Sequence, residues 1–265
     1  MQLSKNPAHS FAISQALEHY ASGAIYSFIP KNACSTIRLS LAIANGAIDD
    51  VEDVNWIHKN NLTFVADLRA VATAPYTFTI LRNPFTRLAS CYLDKIVGKA
   101  SATRALKLNN EETDDLSFTA FVLRIASRTM LRANFHWRPQ IDCLVYEEYD
   151  DVFRVEDMEH ARQRLAERTG LTVVDARDHT LHGTQHLERV EGRFHDVPAH
   201  EFVAMRALGK APAYDALYTP RTAAIVRRVY ADDIAAYERM TGHPIEEPTF
   251  PSKRNSTLPR TGASV

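Results

Sequence analysis

The sequence predicts an α/β fold: a mostly parallel β-sheet flanked by helices. Two observations predict it. Short β-branched and aromatic runs recur along the chain, and each of the first two is followed within a few residues by helical spacing. Strands that alternate with helices close into parallel sheets, because the crossover helix returns the chain to the same edge. A third observation permits the fold: 45% hydrophobic residues over 265 positions is ample for a real core.

The elements follow in order. Residues 1–20 read as a short helical lead-in. Ala24-Ile25-Tyr26-Ser27-Phe28-Ile29 is an apolar run ended by Pro30, so a buried strand is expected there. Residues 35–45 show helical spacing through Ile37, Leu41 and Ala44, with Ser35 as the N-cap. Tyr76-Thr77-Phe78-Thr79-Ile80-Leu81 predicts a central strand. Asn83-Pro84 then starts a helix that runs to about Gly98, since Pro suits the first helical position. Residues 99–115 are polar and read as a loop, and 117–131 as a helix. Strands are expected at 151–155 and 171–175. Between them lies a charged helix, 156–169, with Gly170 as its C′ residue. One long helix is expected over 220–241, from Pro220 to Gly242. These elements group as a lead-in (1–20), one domain (21–248) and a loose tail (249–265).

Composition excludes several classes. Thirty-one Lys and Arg against 32 Asp and Glu give a net charge of −1, so a general nucleic-acid coat is not expected. No run approaches a membrane span, and no secretory leader is visible at Met1–Ser10. The three cysteines, Cys34, Cys91 and Cys143, are too few and odd in number for a disulfide framework. His179, His182 and His186 have helical spacing, but Gly183 and the polar residues around them favour a loop. No metal site is expected.

Two segments carry chemistry. Pro30-Lys31-Asn32-Ala33-Cys34-Ser35-Thr36 joins a strand to a helix N-terminus, where free backbone N–H groups and the helix dipole favour an anion. Lys31 adds a charge, and Ser35 and Thr36 add hydroxyls. The Walker A pattern is absent. The plain alternative is an ordinary βα turn with a surface lysine. In the second segment Arg82 stands at a strand end and Ser90 two helical turns on. An arginine fork and a hydroxyl suit a second phosphate. Its plain alternative is a surface arginine beside a buried serine. Two anion sites at the carboxyl ends of two strands sit where open α/β sheets bind ligands.

With both loops in hand, the chain resembles the PAPS-dependent sulfotransferases, in the carbohydrate (chondroitin and dermatan-type, family 2) branch with its bacterial relatives. The Pro-Lys loop and the R-x-P-x-x-R-x-x-S-x-Y spacing of Arg82, Pro84, Arg87, Ser90 and Tyr92 carry the resemblance. So do Asn134-Phe135-His136-Trp137-Arg138-Pro139-Gln140, which matches the branch's N-x-H-W-x-P-Q, and the stretches at Tyr149 to Glu156 and Tyr230 to Tyr237. The segment at His179–His186 departs from the pattern. The resemblance implies a P-loop-like sulfotransferase fold. It implies PAPS as sulfuryl donor, bound at its 5′-phosphosulfate by Lys31 with Asn32, Ala33, Cys34, Ser35 and Thr36, and at its 3′-phosphate by Arg82 and Ser90. The acceptor would be a hydroxyl of a glycan or small molecule, built against by loops 99–116 and 176–212. A base must take the acceptor proton, and histidine suits neutral pH. His58, 24 residues before Arg82, and His136 are the two candidates. A cytoplasmic bacterial enzyme is the expected setting, with a luminal domain of a Golgi-type enzyme as the alternative. A PAP-holding module without transfer and a nucleotide kinase are the competing functions. The sequence names neither the acceptor nor the oligomeric state.

Overall fold

A computed structural model describes residues 7–60, 63–97, 103–106, 110–176 and 187–250. Contacts divide the chain into two units: Met1–Asn83, Arg138–Gly183 and Asp232–Ile245 form the first, and Pro84–Trp137, Thr184–Ala231 and Glu246–Val265 the second. No described helix is long and apolar enough to cross a membrane.

The first unit holds a four-stranded sheet of β1 (Ala16–His19), β2 (Ala24–Ser27), β3 (Thr77–Leu81) and β4 (Asp151–Arg154), in the order β1-β2-β3-β4. β1 pairs antiparallel with β2, and β2, β3 and β4 are parallel. Every residue of β2 and β3 is buried, as expected for parallel strands covered on both faces. Tyr26 and Phe78, opposite each other in register, stack with centroids 5.0 Å apart, and Phe153 packs edge-on against Phe78. Because β2 and β3 are parallel, the segments that leave Ser27 and Leu81 emerge at the same edge of the sheet.

Three differences from expectation stand out. The lead-in is a helix, Pro7–Ile13, followed by β1, which the sequence reading missed. No strand forms at 171–175. The Val174 N–H donates to Ser40 Oγ and the Ala176 N–H to Thr36 Oγ1, so side chains of helix Cys34–Ala44 take the donors that a strand neighbour would use. That helix has Ala33, not Ser35, at its N-cap. The charged helix spans Met158–Thr169 and ends on Gly170, whose φ of 73° requires the left-handed region.

The second unit contains helices Pro84–Lys95, Phe118–Ile125 and Arg128–Leu131. It also holds helices Ala199–Ala207 and Pro220–Val229, and a parallel pair, β5 (Glu188–Val190) and β6 (Lys210–Pro212). Residues 99–115 are not all loop, since Thr103–Leu106 and Asn110–Asp114 are helical. Likewise the expected loop at 176–212 carries β5, β6 and a helix. The single helix expected at 220–241 is two, with Tyr230 leaving helical geometry between Val229 and Ala231. Tyr92 is at the centre of this unit's core: Phe118, Phe121 and Phe202 surround its ring, and its hydroxyl donates to the Leu116 carbonyl. Cys34, Cys91 and Cys143 are free thiols. The expected loop at His179–His186 and the tail from residue 251 lie outside the described residues.

Candidate functional site

Six residues separate β2 from helix Cys34–Ala44. Within them Lys31 and Ala33 hold φ of 72° and 53°. Left-handed backbone costs a non-glycine residue about 1–2 kcal/mol, and such outliers persist only where the surroundings impose them. Alternating the hand of successive residues turns consecutive N–H groups to one side, the geometry that cradles an anion. The loop runs into a helix whose first-turn N–H groups have no intrahelical acceptor. The N-cap residue, Ala33, has no side-chain oxygen to offer them. By contrast, Asp67, Ser117, Ser127 and Thr219 each cap their own helix with a side-chain oxygen.

The loop's side chains divide. Lys31, Cys34 and Ser35 are half-buried. Thr36 is 7% exposed and its hydroxyl accepts from Ala176. Asn32 is fully buried and faces inward: its amide nitrogen donates to the Ile80 carbonyl at 2.8 Å and to Gln140 Oε1 at 2.6 Å. Below the loop, burial pushes the phenols of Tyr26 and Tyr149 upward, so both stay neutral. Arg38, on the same helix, packs its guanidinium 5.2 Å from the Phe28 ring centre.

Arg82 stands one residue past β3 and is half-buried. Its guanidinium donates to the Lys31 carbonyl at 2.9 Å, so the structure brings these two predicted residues together. Gln140 holds the Arg82 backbone on both sides. Its Oε1 accepts from the Arg82 N–H at 3.1 Å, and its Nε2 donates to the Arg82 carbonyl at 2.9 Å. Gln140 is itself held by Asp233, whose carboxylate accepts the N–H groups of Gln140 and Ile141 at 2.8 and 3.1 Å. Asn32, Gln140 and Asp233 are each at most 1% exposed. The sequence analysis places Gln140 in the N-x-H-W-x-P-Q segment and Asp233 within the stretch from Tyr230 to Tyr237, with no role for either. Their partners are distant in sequence, so no local pattern assigns them a role.

The remaining predicted residues are described in their own units. Ser90 and Arg87 are buried on helix Pro84–Lys95 in the second unit. His136, half-buried in the same unit, has Nδ1 at 3.0 Å from Asn134 Oδ1, which also accepts the His136 backbone N–H. The backbone donor identifies that Asn atom as the oxygen, so Nδ1 carries the hydrogen and Nε2 holds the lone pair. Trp137 is fully buried, with its indole donating to the Met130 carbonyl and its ring edge-on to Phe121. It belongs to the core of this unit.

His58 is exposed on the one-turn helix Trp56–Lys59 in the first unit. The Trp56 ring packs on Phe64, and Phe64 on Tyr20. Tyr20 opens the β1–β2 turn, where His19 pairs with Ala24, whereas the Lys31 loop leaves the opposite end, where Ala16 pairs with Ser27. Helix Trp56–Lys59 also contacts helix Cys34–Ala44, which follows the Lys31 loop. Among the described residues no cluster of His, Cys, Asp and Glu forms a metal site.

Comparison with known proteins follows the same lines. A family model described as Sulfotransferase family matches residues 21–238. Carbohydrate sulfotransferase 14 of Danio rerio is 27% identical, over 55% of this chain and 46% of that protein. The Homo sapiens protein of the same name is 27% identical, over 54% and 43%. The chain thus matches about half the length of these curated relatives. No solved structure matches it significantly.

Proposed function

The chain belongs to the sulfotransferase family, and from that premise we propose that it moves a sulfuryl group from PAPS to a hydroxyl of a carbohydrate or similar acceptor, releasing PAP. The observation that carries the reading is the uncapped, left-handed Lys31–Ala33 loop with Arg82 bonded to it at the carboxyl edge of parallel strands. The same arrangement supports a P-loop-like character for the loop without the Walker A glycines.

The donor set fits a nucleotide with two anionic groups. Lys31 and the backbone of Ala33, Cys34, Ser35 and Thr36 would hold the 5′-phosphosulfate, with Asn32 supporting the loop from inside. Arg82, with Ser90, would hold the 3′-phosphate as a charge-assisted fork and hydroxyl. Bound PAPS supplies the electrophilic sulfur: the acceptor oxygen–sulfur bond forms as the sulfur–oxygen bond to the 5′-phosphate breaks. Lys31 and the loop amides oppose the negative charge that grows on that phosphate oxygen. His136 Nε2 is the proposed base that takes the acceptor's hydroxyl proton. Its bond from Nδ1–H to Asn134 orients the ring for that task, as a base is oriented by a third group in other enzymes. His58, exposed on helix Trp56–Lys59, is the alternative base. The acceptor side is proposed to be a glycan because the named relatives are carbohydrate sulfotransferases. The setting is proposed to be the bacterial cytoplasm, against a luminal one.

Thermal unfolding with PAP, ADP and ATP tests the donor site. At a hundredfold excess over Kd, PAP adds about 2.7 kcal/mol of stability. No shift with PAP removes the reading, a shift with PAP but no sulfuryl transfer favours the binding module, and a larger shift with ATP favours a kinase. His136→Ala is expected to cut turnover by about 10²–10⁴ with PAP binding retained. Loss of turnover in His58→Ala instead moves the base to His58.

A further inference from the structure

The Gln140 side chain does something unusual to Arg82. β3 ends at Leu81, yet Arg82 keeps a partner for both its N–H and its C=O, because the Gln140 amide bonds them as a neighbouring strand would. The arginine is thereby held rigid one residue beyond the sheet. The same Oε1 also accepts from Asn32, the residue after Lys31, and Asn32 bonds back to Ile80 of β3. One buried amide therefore ties together the backbone that carries Arg82 and the loop that carries Lys31. The Asp233 carboxylate fixes that amide's own backbone through two N–H groups.

We propose that Gln140 is a positioning residue that sets the separation of the two anion sites, so that it selects for a phosphate on the ribose 3′ position without touching the ligand. The inference rests on the PAPS reading of the two loops and goes further: it makes phosphate-position selectivity a property of a side chain inside the fold. Selectivity arises because a fork held at a fixed distance from the Lys31 loop meets a 3′-phosphate squarely and a 2′-phosphate off its axis, and charge-assisted hydrogen bonds weaken when misaligned.

The test measures calorimetric affinities of the full chain for three probes: PAP, its isomer adenosine 2′,5′-bisphosphate, and AMP. The native protein is expected to prefer PAP over the 2′,5′ isomer. Gln140→Ala is expected to reduce that ratio by about tenfold, the loss of one well-aligned charged hydrogen bond, with AMP affinity changing much less. A residue that only stabilises the fold lowers all three affinities together, and that outcome overturns the proposal. So does a native protein that binds both isomers equally. A native protein that binds no probe refutes the PAPS reading itself, which separates the two failures. Gln140→Glu covers the case in which the alanine variant does not fold. Its carboxyl keeps the amide's shape, and only the protonated form donates to the Arg82 carbonyl. The PAP-to-isomer ratio of this variant is therefore expected to recover, relative to the native protein, as pH falls from 8 to 5.5. A ratio equal to that of the native protein at both pH values overturns the proposal.

Discussion

Asn32 makes a strong test of how the loop is supported. It has no exposed surface, and its Nδ2 donates to two acceptors, the Ile80 carbonyl at 2.8 Å and Gln140 Oε1 at 2.6 Å. Asn32→Ala removes both bonds at about 1 kcal/mol each and leaves the Ile80 carbonyl short of a buried donor, for a total of about 2–4 kcal/mol. At about 2–4 °C per kcal/mol for a chain of this size, Tm falls by roughly 4–16 °C. Asn32→Asp keeps the volume but aims carboxyl oxygens at two acceptors. Only the protonated acid has a hydrogen to donate, so the folded state raises its pKa above the usual carboxylate range. A raised folded pKa means that the native state binds more protons than the unfolded chain. Stability is then fully present below the unfolded pKa near 4 and is lost as pH rises through the folded one. Urea unfolding at pH 5 and pH 8 reads this directly. The midpoint of Asn32→Asp, relative to the native protein, should be lower at pH 8 than at pH 5. A pH-independent difference, or an alanine variant within 0.5 kcal/mol of native, would refute the argument that the two bonds support the loop.

Two further predictions use the first unit. Ser40→Ala removes the acceptor of the Val174 N–H and the donor to the Thr36 carbonyl. It should cost about 1–2 kcal/mol and raise hydrogen exchange at Val174 before exchange in β2 changes. His19 is 3% exposed, bonds Ser22 through Nδ1, and has its pKa lowered by burial. The unfolded chain therefore binds the proton more readily. Stability should be full above about pH 6.5 and decline as pH falls below it, and denaturation midpoints of His19→Gln should lack that component.

What the sequence revealed depended on how local the cause was. Ala24–Ser27 and Thr77–Leu81 are legible because parallel central strands are apolar on both faces. The Lys31 and Arg82 segments are legible as strand-to-helix junctions because Pro30 and Asn83-Pro84 end the apolar runs, and the structure joins them through Arg82 and the Lys31 carbonyl. The failure at 171–175 has a long-range cause: Ser40 and Thr36, about 135–140 residues away, take the backbone donors. β1 was missed because Ala16-Leu17-Glu18-His19 has no strong β pattern and becomes a strand by pairing with β2. Gln140 and Asp233 stayed without a role because their partners lie 58 and about 93 residues distant. Tyr230, which interrupts the long terminal helix, spends its hydroxyl on the Trp137 carbonyl, another contact that no local pattern announces.

The left-handed torsions at Lys31 and Ala33 also bear on how fast a ligand arrives. They are fixed by β2 on one side and an eleven-residue helix on the other. A glycine-rich loop is ordered when its phosphate binds and bears that entropy in the complex. Here the unfavourable backbone is already accepted in folding. Under the proposed function, nucleotide capture by this loop is close to rigid docking, so its association rate should follow diffusion and ionic strength, with no slower phase from loop rearrangement.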